Sequence, residues 1–471
     1  MYDFLESHNS NFKVTGSFFN SGPYAGYLAT TLPISIYFLK NKDWFLKSLT
    51  SYPKTRWLVY YLFFAHIIGM VLVLPSLGSR ASFISITFSF IIIYRAEITM
   101  FFNSIPINKI AKLIVLFIVS LLTAVLVLYI KSGSSSGRAM ILKNSVIMAF
   151  DHLFFGVGFD HFKVHYMAYQ AQGFQERNIF NSEVAADNTQ YSFNEPLQFL
   201  VENGFLITIL TVLFLVIVLR SSNKDNKLTE LGWIGAGAIF IFSLFSYPSE
   251  ILPIKMSWVA YLACICGFSQ SRSFSTININ QQRKVLGYVL ICLVVSLFVF
   301  KSVKRSFELR KVFMIWQDGN QKYEYGFNSA ALGDYSSIYY ELKNNGQYLL
   351  EYGKSLFFEK EYNEAINVLL QAKRFSDNTI VETTLGDSYL KIGKYDNAEQ
   401  CYLAAAFMKP NSFYTNYQLL NLYITSKNTK EAIKISERIL SLPIKVTSPG
   451  LKEIRNKAKA YLVGIKKEGH Y

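Results

Sequence analysis

The feature that most constrains this chain is a set of apolar runs long enough to cross a bilayer. A spanning helix needs about 20 predominantly apolar residues, because the hydrocarbon core is about 30 Å thick and each helical residue rises about 1.5 Å. Runs of this kind fall near 24–40, 57–75, 81–94, 110–130, 205–220, 230–247, 251–268 and 285–300, the third and last being short. About eight spans are therefore expected, which makes residues 1–300 an all-α, polytopic membrane domain. The charged fraction of 17% agrees, since a soluble domain carries about 25%.

The net charge of +15 raises the question of a nucleic-acid partner, and its distribution answers it. Lys40, Lys42, Lys47, Lys54 and Arg56 fall between the first two runs, and Arg95, Lys109 and Lys112 between the third and fourth. Arg220, Lys224 and Lys227 follow the fifth, and Arg272, Arg283 and Lys284 follow the seventh. All lie on one side of the predicted topology, as cytoplasmic loops require. Topology accounts for the charge, and no nucleic-acid partner is expected. The same count puts the N-terminus, a long loop at 131–203 and the C-terminal region on the outer side. The basic stretch "KSVKRSFELRK" (301–311) sits awkwardly there and suggests anionic headgroups.

A second regularity begins near residue 318. "LGDSYLKIGKYDNAEQCYLAAAFMKP" places Leu385, Gly386, Tyr389, Ala398, Tyr402, Ala405 and Pro410 at the spacing of a tetratricopeptide repeat. One period earlier come Gly353, Ala365, Leu369 and Ala372, and one period later Tyr423 and Ala432. Small residues let paired helices approach closely, and stacked copies bury what one copy cannot. The expected organisation is a membrane domain at 1–300, a juxtamembrane linker at 301–317 and an α-solenoid at 318–471. The solenoid suggests a protein partner by analogy of fold.

The loop at 131–203 exceeds the usual connection length and is read as functional. Its stretch 137–150 has helical periodicity, expected along the membrane interface, and Gly156 and Gly158 supply a tight turn. His161 and His165 stand at i, i+4, but a metal site needs further ligands, and none is assigned. Cys264, Cys266, Cys292 and Cys401 form no disulfide or metal pattern. The first residues lack the basic and apolar stretches of a signal peptide, so the helices behind them translocate the start, or the chain begins earlier.

The loop ends in "ADNTQYSFNEPLQFLVENG" (186–204), dense in Asp187, Asn188, Asn194, Glu195, Gln198 and Glu202. Pro196 suits a first helical turn, with Asn194 or Glu195 as cap. Glu195, Gln198 and Glu202 share one helix face. At the mouth of a membrane helix such a stripe faces protein or water. It is either a satisfied helix contact or a site at the outer face. Arg80, opening the third run, and Arg138, following the fourth, lie on the same side, and an arginine fork matches phosphate bidentately. Alone, Arg80 reads as snorkelling to headgroups and Arg138 as a solvated loop residue.

"VTGSFFNSGPYAGYLA", "LGSRAS", "SGRAMILKNSVIMAFDHLFFGVGFDHF", the 186–204 stretch and "SYPSEILP", in that order, resemble the O-antigen ligase and polymerase-like superfamily over roughly 14–268. The resemblance implies an inverting, metal-independent transfer with no cofactor, in which a glycan leaves an undecaprenyl-diphosphate carrier for an acceptor hydroxyl, on a lipid A core or a protein. It implies a multi-pass protein of the bacterial inner membrane, with the 131–203 loop and the repeats in the periplasm. It places Arg80 and Arg138 on the diphosphate. The family's histidine base is replaced by Phe193, so the role passes to Glu195, with Asp187 second and Asn194, which opens the helix, in the same catalytic set. Gln198, Glu202 and Asn188 support them. Relatives also carry more spans before "FFNSGP". A polymerase that extends the carrier-linked glycan, or a non-catalytic scaffold presenting the repeats, are the alternatives. A transporter is disfavoured, because no charge lies deep in the apolar runs.

Overall fold

The computed structural model describes residues 15–18, 20–48, 56–104, 132–177, 186–221, 226–267, 281–444 and 447–467. Every regular element among them is helical. The chain divides into two compact units, one of residues 1–156 and 191–274, the other of 157–190 and 275–471. Each is described by itself.

The first unit contains α1 (Ser21–Lys40), α2 (Lys42–Ser48), α3 (Arg56–Leu77), α4 (Arg80–Ile93), α5 (Arg95–Ser104), α6 (Ser132–Asp151), α8 (Glu195–Ser221), α9 (Lys227–Ser243) and α10 (Leu252–Gly267). α7 (Phe162–Arg177) belongs to the second unit. Two of the described helices, Trp57–Leu77 and Glu195–Val218, are long and apolar enough to cross a membrane, or three if the α4–α5 pair, bent by 75°, counts as one span. The expectation of about eight is corrected accordingly. Apolar runs record composition, while a span also needs unbroken length. α4 has 14 residues, about 21 Å of rise. α9 and α10 have 17 and 16 residues. α1 reaches 20 but holds Thr30, Thr31, Pro33 and Ser35. The run at 110–130 lies outside the described residues.

Helices pack here as membrane helices do, through small residues and short polar bridges. A Cβ at Gly26 would stand 2.3 Å from Phe242 Cζ, and one at Gly235 2.1 Å from the Tyr261 ring. Ser85 donates to Ala238 O at 2.7 Å, and Tyr261 OH to Thr30 O at 2.5 Å. α1 and α4 run parallel. Lys40, ending α1, donates to Ile93 O at the end of α4 and pairs with Glu97 at 2.9 Å. Arg95 and Tyr37 both reach Glu230 at that end. α6, expected along the interface, has a buried face carrying Ile141, Ser145 and Met148 and packs against α8.

The second unit opens its repeat part with α11 (Gln281–Glu324), followed by α12 (Asn328–Leu342), α13 (Gly346–Phe358), α14 (Tyr362–Lys373), α15 (Thr379–Lys391), α16 (Tyr395–Met408), α17 (Phe413–Thr425), α18 (Thr429–Ser441) and α19 (Pro449–Lys467). Residues 301–317, expected as a linker, and the apolar run at 285–300 are parts of α11. The basic stretch finds protein partners rather than headgroups alone, since Arg305 pairs with Glu341 at 2.7 Å. Ala365, Ala372, Ala398, Ala405 and Ala432 are fully buried where helices cross, as the repeat spacing predicts.

The 157–190 segment joins this unit. α7 packs on α16 and buries Phe162, Tyr166 and Met167. Its buried Gln170 donates to Met408 O at 2.7 Å, so this segment is held by the repeats through a satisfied amide.

Candidate functional site

Two helix starts and two arginines converge in the first unit. Asn20 caps α1, its side chain accepting from Gly22 N–H at 3.2 Å. Ser79 caps α4, accepting from Ser82 N–H at 3.4 Å, after Gly78 turns the chain at φ 55°. Capping residues begin both helices here, and Pro23 in the first turn of α1 adds to that start. Asn20, Gly22, Arg80, Arg138, Phe193 and Tyr247 are among the residues around a cavity of about 170 Å³. No acid lines it.

Arg138 stands on α6 and donates through Nη1 to Phe245 O at 3.1 Å. Its guanidinium lies over the Phe193 ring, 5.0 Å from the centroid, a cation–π geometry. The side chain is open at the cavity mouth, yet enough protein surrounds the guanidinium that desolvation, and then the charge of Arg80, hold its pKa below the usual arginine value. Beneath it, Phe193 meets Tyr247 edge to face at 5.5 Å, and Tyr191 stacks on Tyr247 at 4.6 Å. Phe193 adopts φ 56°, a left-handed conformation that is costly for a bulky side chain. Burial raises the Tyr247 pKa, opposed by the Arg138 charge. An acid-free cavity holding two cations and two helix N-termini suits an anion.

Glu195 lies elsewhere. As the first residue of α8 it accepts from Ser249 N–H at 2.5 Å and lines a mostly apolar cavity of about 400 Å³ with Pro248, Ile254, Lys255 and Trp258. The two cavities adjoin along 247–249. Asn194 is the α8 cap, accepting from Leu197 N–H at 3.0 Å and donating to Leu244 O at 3.3 Å. Gln198 accepts from Ser192 N–H at 3.1 Å and donates to the buried Glu202 at 3.3 Å, so the rest of the polar stripe is satisfied within the protein.

Asp187 and Asn188 belong to the second unit. Asp187 pairs with Lys409 at 2.6 Å. Asn188 accepts from Thr379 N–H at 3.2 Å and Oγ1 at 3.0 Å, fastening the start of α15. The structure thus brings Arg80 and Arg138 together, sets Glu195 in the neighbouring cavity and gives Asn194, Asp187 and Asn188 structural partners. The sequence reading assigned no role to Asn20, Gly22 or Tyr247. Asn-Ser-Gly-Pro is a helix-start signal that marked the first two, and Tyr247 was marked only as part of "SYPSEILP". Among the described residues no three His, Cys, Asp or Glu side chains are grouped so as to hold a metal. His161 Nδ1 lies 2.7 Å from Phe159 O instead.

Residues 65–212 match the O-antigen ligase family, and residues 383–412 match a tetratricopeptide repeat. No curated protein matches the chain. Among solved structures it is similar to a MamA protein at 20% identity over 34% of this chain and 94% of that one, with a TM-score of 0.27. A second similarity is to MamA from residue 41 to its end, from Desulfovibrio magneticus RS-1, at 16% identity over 33% and 94%, with a TM-score of 0.28. The chain therefore holds a segment that matches the O-antigen ligase family, with helices long and apolar enough to cross a membrane, followed by a segment that matches a tetratricopeptide repeat.

Proposed function

We propose that this protein transfers a glycan from an undecaprenyl-diphosphate carrier to an acceptor hydroxyl at the outer face of the bacterial inner membrane. The observation that carries the reading is the acid-free cavity in which Arg80 and Arg138 meet the N-termini of α1 and α4. A diphosphate leaving group develops charge as the sugar–oxygen bond breaks, and preorganised donors aimed at it are worth about 10²–10³ in rate each. Position supports the same reading. The cavity lies at the N-terminal end of α1, and Lys40, Arg95 and Glu230 cluster at its other end. α1 sets the two about 30 Å apart, and α3, which is long and apolar enough to span, packs along it and ends at Leu77 in the cavity wall. With the basic end cytoplasmic, the arginines face outward.

In the proposed reaction the acceptor hydroxyl attacks the anomeric carbon from the face opposite the diphosphate, which inverts the configuration. Glu195, in the neighbouring cavity, takes the hydroxyl proton as the bond to the carrier breaks. The carrier leaves as the diphosphate, held by Arg80 and Arg138. The acceptor is a lipid A core or protein for a ligase, and a carrier-linked glycan for a polymerase. The repeats would lie in the periplasm.

Transfer in membranes from a deletion strain complemented with wild type, Arg138→Ala, Arg80→Ala or Glu195→Gln tests this. At equal protein levels each variant should lose at least 100-fold in rate while carrier-linked glycan accumulates. Normal transfer by both arginine variants would sink the reading and leave a scaffold in its place.

A further inference from the structure

The second unit holds a cavity of about 330 Å³ that the transfer chemistry does not use. Its walls come from the turn before α7 (Phe159, His161, Lys163), from Gln190, and from the repeat turns bearing Asn344 and Gln347. The volume lies in the range of small-ligand sites, about 300–1,000 Å³. The repeat side is built to a fixed shape. A Cβ at Gly346 would stand 2.9 Å from Ser376 Cβ and 3.1 Å from Ser376 N, so the turn before α13 lies directly against the turn before α15.

The chemistry of the walls is selective. Gln190, Asn344 and Gln347 each carry an amide that both donates and accepts, as a sugar hydroxyl does. The Gln347 NH₂ is engaged by Glu351 at 2.5 Å, which fixes the orientation of its amide. Phe159 exposes 79% of its surface beside these amides, a flat apolar face of the kind that packs on the C–H face of a pyranose. Lys163 is compensated by Asp160 at 2.7 Å, and the His161 ring is anchored to Phe159 O. An acidic peptide or terminal carboxylate would want uncompensated cations, which this cleft does not offer. A neutral, hydroxyl-rich ligand fits it better.

We propose that this cleft is a saccharide-binding subsite, which holds several sugars of the glycan away from the reacting bond. The inference rests on the reading of a glycan substrate. It gives the repeat unit, together with the 157–190 segment docked on it, a role in gripping the polymer itself. Binding energy from remote sugars would then favour long chains over short ones.

The test uses the full-length protein in micelles and the producing cell's own surface polysaccharide, released by mild acid and sized to short oligosaccharides. Calorimetric binding is compared for wild type, Gln190→Ala/Asn344→Ala, Phe159→Ala and Arg138→Ala. Both cleft variants should weaken oligosaccharide binding at least tenfold, about 1.4 kcal/mol, with an unchanged melting temperature. Arg138→Ala should bind the oligosaccharide as wild type does, having lost only the diphosphate contact. Cleft variants that bind like wild type overturn the subsite, as does binding of an acidic peptide in place of the sugar. If the cleft variants lose binding while Arg138→Ala still transfers glycan normally, the subsite stands and the catalytic reading falls, so the two failures are distinguishable.

Discussion

The Arg138 guanidinium rests on the Phe193 ring, 5.0 Å from its centroid, at the position where the resembling family carries a histidine. The substitution thus puts an aromatic platform where a base is expected. It holds the arginine over the cavity without competing for its hydrogen bonds.

Replacing that platform should act on transfer through arginine positioning. Phe193→Ala removes a cation–π contact of about 0.5–2 kcal/mol, so rates should fall roughly 3- to 30-fold. Phe193→Leu, which keeps apolar bulk, should fall between. Phe193→His should transfer better at pH 8 than at pH 5.5, because an imidazolium, formed below about pH 6.5, would repel Arg138. Transfer rates against pH decide it, and a flat profile for the histidine variant would mean that the two side chains are uncoupled.

A second relationship joins the turn after α6 to a break in α8. Gly204 interrupts α8 at φ 73°, ψ 175°, and a Cβ there would meet Phe154 O at 2.3 Å. A Cβ on Gly156, at φ 68°, would meet Glu202 O at the same distance. Phe205 N–H donates to Leu153 O at 2.7 Å between them. Gly204→Ala and Gly156→Ala should each cost roughly 2–4 kcal/mol, through strain and overpacking together. Thermal unfolding in micelles measures this. Gly22→Ala, with nothing within 4 Å of its added Cβ, is the control that should change little.

How much of this was legible in the sequence depended on the range of the interaction. The repeats were readable because Gly386 and Tyr402 are 16 positions apart and their clash distance of 2.5 Å is local to one helix pair. The two arginines stood out in the sequence only singly, and the cavity they share was not visible there because they are 58 positions apart. The span count failed because hydropathy records apolar composition and is blind to a 75° bend between α4 and α5. The roles of Asp187 and Asn188 were invisible for a different reason. Their partners Lys409 and Thr379 are about 200 positions away, and no local pattern ties a residue to a partner at that range.

The middle repeat offers a test of packing independent of transfer. Gly386→Ala drives a methyl into the fully buried Tyr402 ring and should destabilise the repeats by about 1–3 kcal/mol. Gly333→Ala, in the interior of α12 with open space around it, should stabilise by up to about 1 kcal/mol. Hydrogen exchange of peptides from 380–408 in the full-length protein separates the two. Equal protection in both variants would mean that this helix pair does not carry the stability of the repeats.

The repeats should also weaken as pH rises towards neutrality. Asp377 is buried, its Oδ1 has no hydrogen-bond partner, and its Oδ2 stands 3.8 Å from Lys373, which is already engaged by Glu382. Burial, and then the Glu382 charge, push its pKa up to about 7, against about 3.9 in an unfolded chain. Between those values the folded state binds the extra proton, so stability is full below about pH 4 and is lost as pH rises through about 7. The loss is a few kcal/mol at most. Asp377→Asn keeps the shape and removes the titration, so its repeats should be more stable than wild type at pH 8 and match it only below about pH 4. Hydrogen exchange of the 379–402 amides, corrected for the intrinsic pH dependence of exchange, reads the difference. Identical pH profiles for wild type and Asp377→Asn would show that Asp377 is charged in the fold, with Lys373 shared between both acids.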